Sequence, residues 1–332
     1  MKIESDQTPF STLDPDAVLD AVESLGFQCD GCLLALNSYE NRVYQVGLES
    51  EAPLVAKFYR PDRWSDEAIL EEHAFSLELA GAEIPVIPPM VHNKLSLHHF
   101  ENHRFAVFER RGGRWPELTD PDTRLWLGRF LGRIHMVGAV SDYESRPALS
   151  VEEFGDNARD TLLEQNWIPP HLEEAYDSVT LDLLDGVDQR IAEAGEMSII
   201  RLHGDCHPGN ILWTPAGPHF VDLDDSRMGP AVQDLWMLLS GDREEMTVQL
   251  ADLLDGYNEF AHFDPRELWL IEALRSLRMI HYAAWLARRW NDPAFPLAFP
   301  WFNTTRYWED HVLSLREQLG EIHEPPLRWQ AK

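Results

Sequence analysis

Apolar and polar positions alternate in two regimes along this chain. Residues 11–26 carry Ala17, Val18, Ala21, Val22 and Leu25 at helical spacing, with Thr12 or Asp14 as cap, Pro15 in the first turn and Gly26 as the stop. Short strand-like runs follow at 32–36, 42–46, 54–58, 95–99 and 104–108. One helix interrupts them, opening at Ser65-Asp66-Glu67 and ending at Ala80-Gly81. Leu70, Ala74, Leu77 and Phe75 are expected on its core side. From about residue 119 the period becomes helical. Helices are predicted over 123–137, 171–194 (closed by Gly195), 244–261 and 265–290, with a loop at 141–155 and a short strand at 199–202. The pattern predicts an α+β protein: a small, mainly β lobe over residues 1–110 and a large helical lobe over 111–332.

Two stretches carry chemistry. In the first, Leu54-Val55-Ala56-Lys57-Phe58, a lysine interrupts an apolar strand. A buried ammonium is costly without a partner, and the run resembles the V-A-I-K strand whose lysine holds nucleotide phosphates. An acid on the following helix is the expected partner. Glu72 is the choice and Glu71 the alternative, since periodicity does not separate them. The second stretch is Leu202-His203-Gly204-Asp205-Cys206-His207-Pro208-Gly209-Asn210, followed by Phe220-Val221-Asp222-Leu223-Asp224-Asp225. Asp205 and Asn210 keep the spacing of the kinase loop H-R-D-x-x-x-x-N, with Gly204 in place of the Arg, and Asp222 stands where D-F-G has its Asp. Asp205 would accept the proton of an attacking hydroxyl. Asn210 and Asp222 offer the hard oxygens that Mg²⁺ prefers, the rest of its shell coming from phosphate and water. Asp205 and Asp222 are thus the candidate catalytic acids. Asp224 or Asp225 would add a metal ligand or cap the next turn, with capping the preferred reading.

Other positions follow from these. The loop Asn37-Ser38-Tyr39-Glu40-Asn41 lies where a kinase covers the phosphates, though it has no glycine. Asn37 and Ser38 are small and polar, and Ser38 is the choice for direct contact with phosphate, set against an ordinary Asn-Ser turn. The backbone at Glu109–Arg111, before Gly112-Gly113, is the expected hinge that hydrogen-bonds adenine. Asp234, amid apolar residues, is expected to brace the catalytic loop. The aromatic, proline-rich run 291–302, after Arg288-Arg289, would either line an acceptor groove or seal the core.

Composition narrows the partners. The 332 residues hold 28 basic and 57 acidic side chains, a net charge of −29. That argues against nucleic acid or an anionic membrane as partner. No apolar run reaches membrane-spanning length, and Met1-Lys2-Ile3-Glu4-Ser5-Asp6 does not read as a signal peptide. Three cysteines suit a reducing compartment. Cys29-Asp30-Gly31-Cys32 lacks the second ligand pair that zinc needs. A cytoplasmic monomer is the expectation.

The chain resembles the bacterial stress response kinase A family, the YihE/RdoA-type protein kinases of the aminoglycoside-phosphotransferase and choline-kinase-like branch. The resemblance is carried by Leu36–Gln45, Lys57-Phe58-Tyr59-Arg60-Pro61, Arg201–His207, Gly209–Trp213, Phe220–Asp225, Gly229–Leu239, Asp292–Pro296 and Phe299-Pro300-Trp301. It implies a bilobal protein-kinase-like fold, ATP and Mg²⁺ as cofactors, and transfer to Ser or Thr of protein substrates in stress responses. By motif match it makes Asp205 the proton acceptor and Asn210 and Asp222 the Mg²⁺ ligands, and it puts Ser38 at the ATP site. A small-molecule kinase, acting on an aminoglycoside, choline or sugar alcohol, is the rival reading, because both need the same core. No A-P-E segment is recognisable, which by itself favours that rival. A catalytically dead nucleotide sensor is disfavoured because Lys57, Asp205, Asn210 and Asp222 are all present.

Overall fold

The computed structural model describes residues 9–36 and 38–329. The first eight residues, read above for a signal peptide, and Asn37, read as a phosphate-loop residue, lie outside them. The chain divides into two compact units. The first comprises Met1–Pro116, Tyr143–Arg146 and Pro208–Ser226, and the second Glu117–Asp142, Pro147–His207 and Arg227–Lys332. No helix among the described residues is long and apolar enough to cross a membrane.

In the first unit, α1 (Pro15–Glu23) starts at Asp14, whose carboxylate accepts the Ala17 N–H at 2.8 Å. Thr12, the other cap candidate, bonds His103 instead. Strands β1 (Cys29–Ala35), β2 (Arg42–Leu48), β3 (Leu54–Phe58), β4 (His98–Phe100) and β5 (His103–Glu109) form an antiparallel sheet in the order β1-β2-β3-β5-β4. The β3 strand is central, and Lys57 sits between Val43 of β2 and Ala106 of β5. Because strand side chains alternate between faces, Leu54, Ala56 and Phe58 pack with Val18, Ala21 and Val22 of α1. Val55 and Lys57 are turned to the other face.

Helix α2 (Asp66–Gly81) follows, capped by Ser65. Its face differs from the expected one. Leu70 and Leu77 are 43% and 37% exposed, and Ala74 is exposed. The buried positions are Ala68, Ile69, Glu72, His73, Phe75, Ser76 and Leu79. The helix buries polar side chains that have work to do, so counting apolar residues rotated it to the wrong side. His73 illustrates this. Its two ring nitrogens meet Tyr59 Oη at 2.7 Å and Ser96 Oγ at 2.9 Å, which satisfies a buried imidazole.

The second unit is helical. It contains α3 (Pro121–Gly138), α4 (Asn157–Glu164), α5 (Glu173–Ala194), the single turn α6 (Gln233–Trp236), α7 (Arg243–Tyr257), α8 (Ile271–Arg289), the short α9 (Ala294–Ala298) and α10 (Thr305–Glu321). A π-helical turn, Glu152–Asp156, leads into α4 inside the stretch expected to be loop. Tyr176, Leu183, Ile280, Phe295, Phe302, Trp308 and Leu315 belong to its core.

Helices α3 and α7 approach through glycines. A Cβ on Gly128 would run into the Leu253 carbonyl oxygen, and one on Gly256 into the Leu125 carbonyl oxygen. Gly128→Ala should therefore push the helices apart and destabilise the protein by about 1–3 kcal/mol, as overpacking does. Thermal unfolding checks this, and an unchanged midpoint would mean that the pair relaxes freely.

Candidate active site

The first unit encloses a cavity of about 340 Å³. Its apolar walls are Leu36, Val43, Val55, Phe108, Leu212 and Val221. Its polar lining includes Ser38, Lys57, Glu72, Asn210 and Asp222. Five of the residues picked out from the sequence thus meet in one place. Glu109 and Arg111, the expected hinge, also line it. Just beyond them Arg114 pairs with Trp213 through backbone bonds of 3.0 and 2.7 Å. Gly113 lies so close to Leu212 that a Cβ would approach to 2.7 Å.

The Lys57 ammonium donates to Asp222 Oδ1 at 2.8 Å and lies 3.2 Å from Asp224 Oδ1. Glu72, the expected partner on the helix, makes no hydrogen bond to Lys57, though its charge still acts on the ammonium. Glu72 nonetheless lies deep in the cavity wall. Burial pushes its carboxyl up to about 7, an effect that Lys57 and Arg146 offset only in part. Its Oε2 has no hydrogen-bond partner among the described residues. Burial alone would lower the Lys57 pKa. Asp222 and Asp224 outweigh it and hold the ammonium well above the usual lysine range. Glu71, the other candidate, faces elsewhere and accepts the backbone N–H groups of Glu144, Ser145 and Arg146 at 2.8–3.0 Å.

Asp222 follows the hairpin Ile211–Thr214/Gly217–Phe220 and adopts a left-handed backbone, φ 61°. A non-glycine residue held in that region is uncommon. It turns the chain just after Val221, whose N–H donates to the Asn210 carbonyl at 3.0 Å. The Asp222 side chain is 49% exposed. Asp224 departs from the capping expectation. It is 3% exposed and sits among Arg63, Lys57 and Asn41, whose Nδ2 donates to it at 3.1 Å. Burial would raise its carboxyl, but Arg63 and Lys57 override this and hold it well below the usual carboxylate range. Asn41 also fixes the far end of the Ser38 loop, its Oδ1 accepting from the Arg60 N–H at 3.0 Å. Arg146 closes the cluster from another side. It donates to the carbonyl oxygens of Ala68, Asp224 and Ser226 at 2.7–2.9 Å, which pins α2 to the turn after Asp222.

Asp205 belongs to the second unit. Its loop is held from behind by Asp234, as expected. Asp234 accepts the His203 N–H at 2.7 Å and the Gly204 N–H at 2.9 Å, and its Oδ2 meets His135 Nε2 at 3.1 Å. Gly204 has φ 88°, open to glycine without strain. Asp205 Oδ1 accepts from Arg278 Nη1 of α8 at 2.7 Å, and its Oδ2 lies 3.5 Å from His207 Nε2. Arg278, 73 residues downstream, carries no sequence signal that ties it to Asp205. In the aromatic run 291–302, Phe295 and Phe302 are buried in the core, as the core-sealing alternative expects, while Leu297 and Trp301 face solvent.

The cysteines are unpaired thiols. Burial, reinforced by Glu23 and Asp30, pushes Cys29 up to about 11, and Asp30 raises Cys32. Burial holds Cys206 well above its ordinary value. Thiols kept protonated are poor nucleophiles and poor metal ligands. No group of three or more His, Cys, Asp or Glu among the described residues is arranged to hold a metal ion. Asn210, an amide, and Asp222, a carboxylate, both line the cavity. Such a sparse, hard set fits Mg²⁺ that takes its remaining ligands from phosphate and water.

The sequence-family model described as the phosphotransferase enzyme family matches residues 33–271. Stress response kinase A of Escherichia coli (strain K12) is 45% identical over 319 residues, 96% of each chain. Serine/threonine protein kinase RdoA of Salmonella typhimurium is 44% identical over the same share of both chains. Amicoumacin kinase hAmiN, solved with AMP-PNP, Ca²⁺ and Ami, matches with a TM-score of 0.74 at 19% identity over 95% of each chain. A microcompartment-associated aminopropanol kinase matches with a TM-score of 0.67 at 18% identity, over 93% of this chain and 98% of that one. These two speak for the kinase-like fold.

Proposed function

The chain belongs to the phosphotransferase enzyme family and, within it, to the stress response kinase A family, and from that premise we propose that it transfers the γ-phosphoryl group of Mg-ATP to Ser or Thr hydroxyls of protein substrates in a bacterial stress response. The observation that carries the ATP part is the cavity of the first unit, where Lys57, Glu72, Asn210 and Asp222 meet beside apolar walls. Val43, Val55, Phe108 and Leu212 would pack on adenine, and the backbone at Glu109–Arg111 would hydrogen-bond its edge. Lys57 would hold the nucleotide phosphates, and Ser38 would donate to them. Asn210 and Asp222 would hold Mg²⁺, which when bound neutralises charge on the phosphate oxygens. Asp205 orients the acceptor hydroxyl and takes its proton as the acceptor oxygen bonds to the γ-phosphorus and the bond from that phosphorus to the bridging oxygen breaks, releasing ADP.

The protein acceptor rests on the relatives, one of which is named a serine/threonine protein kinase. The matching solved structures are titled as small-molecule kinases. The three free thiols are in keeping with a reducing compartment, and a cytoplasmic monomer remains the proposal. The test is transfer of labelled γ-phosphate from Mg-ATP to itself, to a generic protein and to a panel of aminoglycosides and simple alcohols. Label on protein Ser or Thr supports the proposal. Label confined to a small molecule moves the enzyme to the rival class and leaves the nucleotide site standing.

A second test concerns Asp222. Asp222→Ala removes a charged metal ligand and the partner of Lys57 together. It should weaken Mg-ATP binding by tenfold or more, on the order of the 10–100-fold seen when metal-site partners are lost. Titration with a fluorescent ATP analogue, with and without Mg²⁺, reads this, and an unchanged Mg²⁺ dependence would remove Asp222 from the metal site.

A further inference from the structure

Arg278 is set apart by its surroundings. It projects from α8, donates to Asp205 Oδ1 at 2.7 Å and stays 42% exposed. Among the described residues, Asp205 hydrogen-bonds and ion-pairs with it through one N–H of the guanidinium. Three residues on, and so on the same side of the helix, His281 stacks on Phe154 at 4.2 Å. The Arg227 guanidinium lies 4.6 Å above that ring from elsewhere in the unit. Glu153, the neighbouring acid, lies 3.4 Å from Arg227 and is already matched. The cation that remains open to solvent beside Asp205 is therefore Arg278 itself, in a chain whose net charge is −29.

We propose that Arg278 sets acceptor specificity, so that the hydroxyl delivered to Asp205 comes from a group with an anion beside it, in a protein an acidic residue flanking the target Ser or Thr. This rests on the reading of Asp205 as the proton acceptor and deepens it. A guanidinium that spends one N–H on a carboxylate keeps a planar fork for a second anion. A cationic acceptor such as an aminoglycoside or choline would meet a like charge at the point where its hydroxyl must approach, and like-charge juxtaposition is how a site rejects a wrong partner.

The experiment compares three serine peptides of equal length, flanked by glutamate, alanine or lysine, together with glycerol 3-phosphate and choline. The wild type should prefer glutamate over lysine by about tenfold or more in kcat/KM. Arg278→Glu should reverse that order, Arg278→Lys should keep it, and both should bind nucleotide normally, which shows that they fold. A preference for lysine-flanked peptide or choline overturns the proposal, as does an order that Arg278→Glu leaves unchanged. Transfer to glycerol 3-phosphate alone, sensitive to Arg278→Glu, supports the charge selection and removes the protein-acceptor reading instead.

Discussion

Asp205→Ala is expected to lower phosphoryl transfer about a thousandfold, within the range for a general base, while nucleotide binding stays at the wild-type level. The asymmetry follows from the role proposed for it. Asp205 is held by Arg278 and by the loop that Asp234 braces. An interaction made only with the reacting hydroxyl is lost from kcat and not from ATP affinity. The fold should tolerate the change, because the Arg278 left behind is 42% exposed and can be solvated. Asp205→Asn is the sharper variant. It keeps an oxygen for Arg278 but offers no base, so it should be nearly as slow as the alanine. Steady-state transfer beside a nucleotide titration measures both. If Asp205→Asn kept full turnover, the proton acceptor would have to be sought elsewhere. A parallel loss of ATP affinity would mean that Asp205 supports the phosphate site as well.

What was legible in the sequence was what is encoded locally. Lys57 is legible because an ammonium in an apolar strand needs a partner, and strand alternation then fixes the face it takes. Asp205, Asn210 and Asp222 were found because their spacing is covalent. The helix carrying Glu72 was also legible, but not its orientation. Its inward stripe includes Glu72, His73 and Ser76, and apolar counting treats those as surface. Arg278 was out of reach. Its partner is 73 residues away, and an arginine on a helix whose buried side is Ala273, Leu274, Leu277 and Ile280 looks like an ordinary outward charge. Helix α10 could have been found: Thr304 caps it, and Trp308, Val312 and Leu315 repeat at helical intervals.

Asp224→Asn should destabilise the protein by about 3–5 kcal/mol, the range for breaking a buried ion pair by removing one partner. The substitution keeps the shape and leaves an oxygen for Asn41, so the loss isolates the charge. Arg63 and Lys57, 15% and 9% exposed, would then share a desolvated site short of one negative charge. Magnitude separates this from capping, whose loss costs about 1 kcal/mol. Because the folded-state pKa of Asp224 is depressed, its contribution is present above the unfolded carboxylate pKa of about 3.9 and is lost as pH falls through the folded value. The gap between wild type and variant should therefore persist from pH 5 to 8, narrowing somewhat as pH rises because Asp224 also helps raise the Glu72 carboxyl, and should be lost in stronger acid. ATP affinity should fall too, since Asp224 positions both Lys57 and, through Asn41, the loop bearing Ser38. Arg63→Met added to Asp224→Asn should recover part of the stability, because it removes one of the two stranded cations. Chemical denaturation of the two single variants and the double across pH provides the check. A loss near 1 kcal/mol with no recovery in the double variant would return Asp224 to the role of a cap.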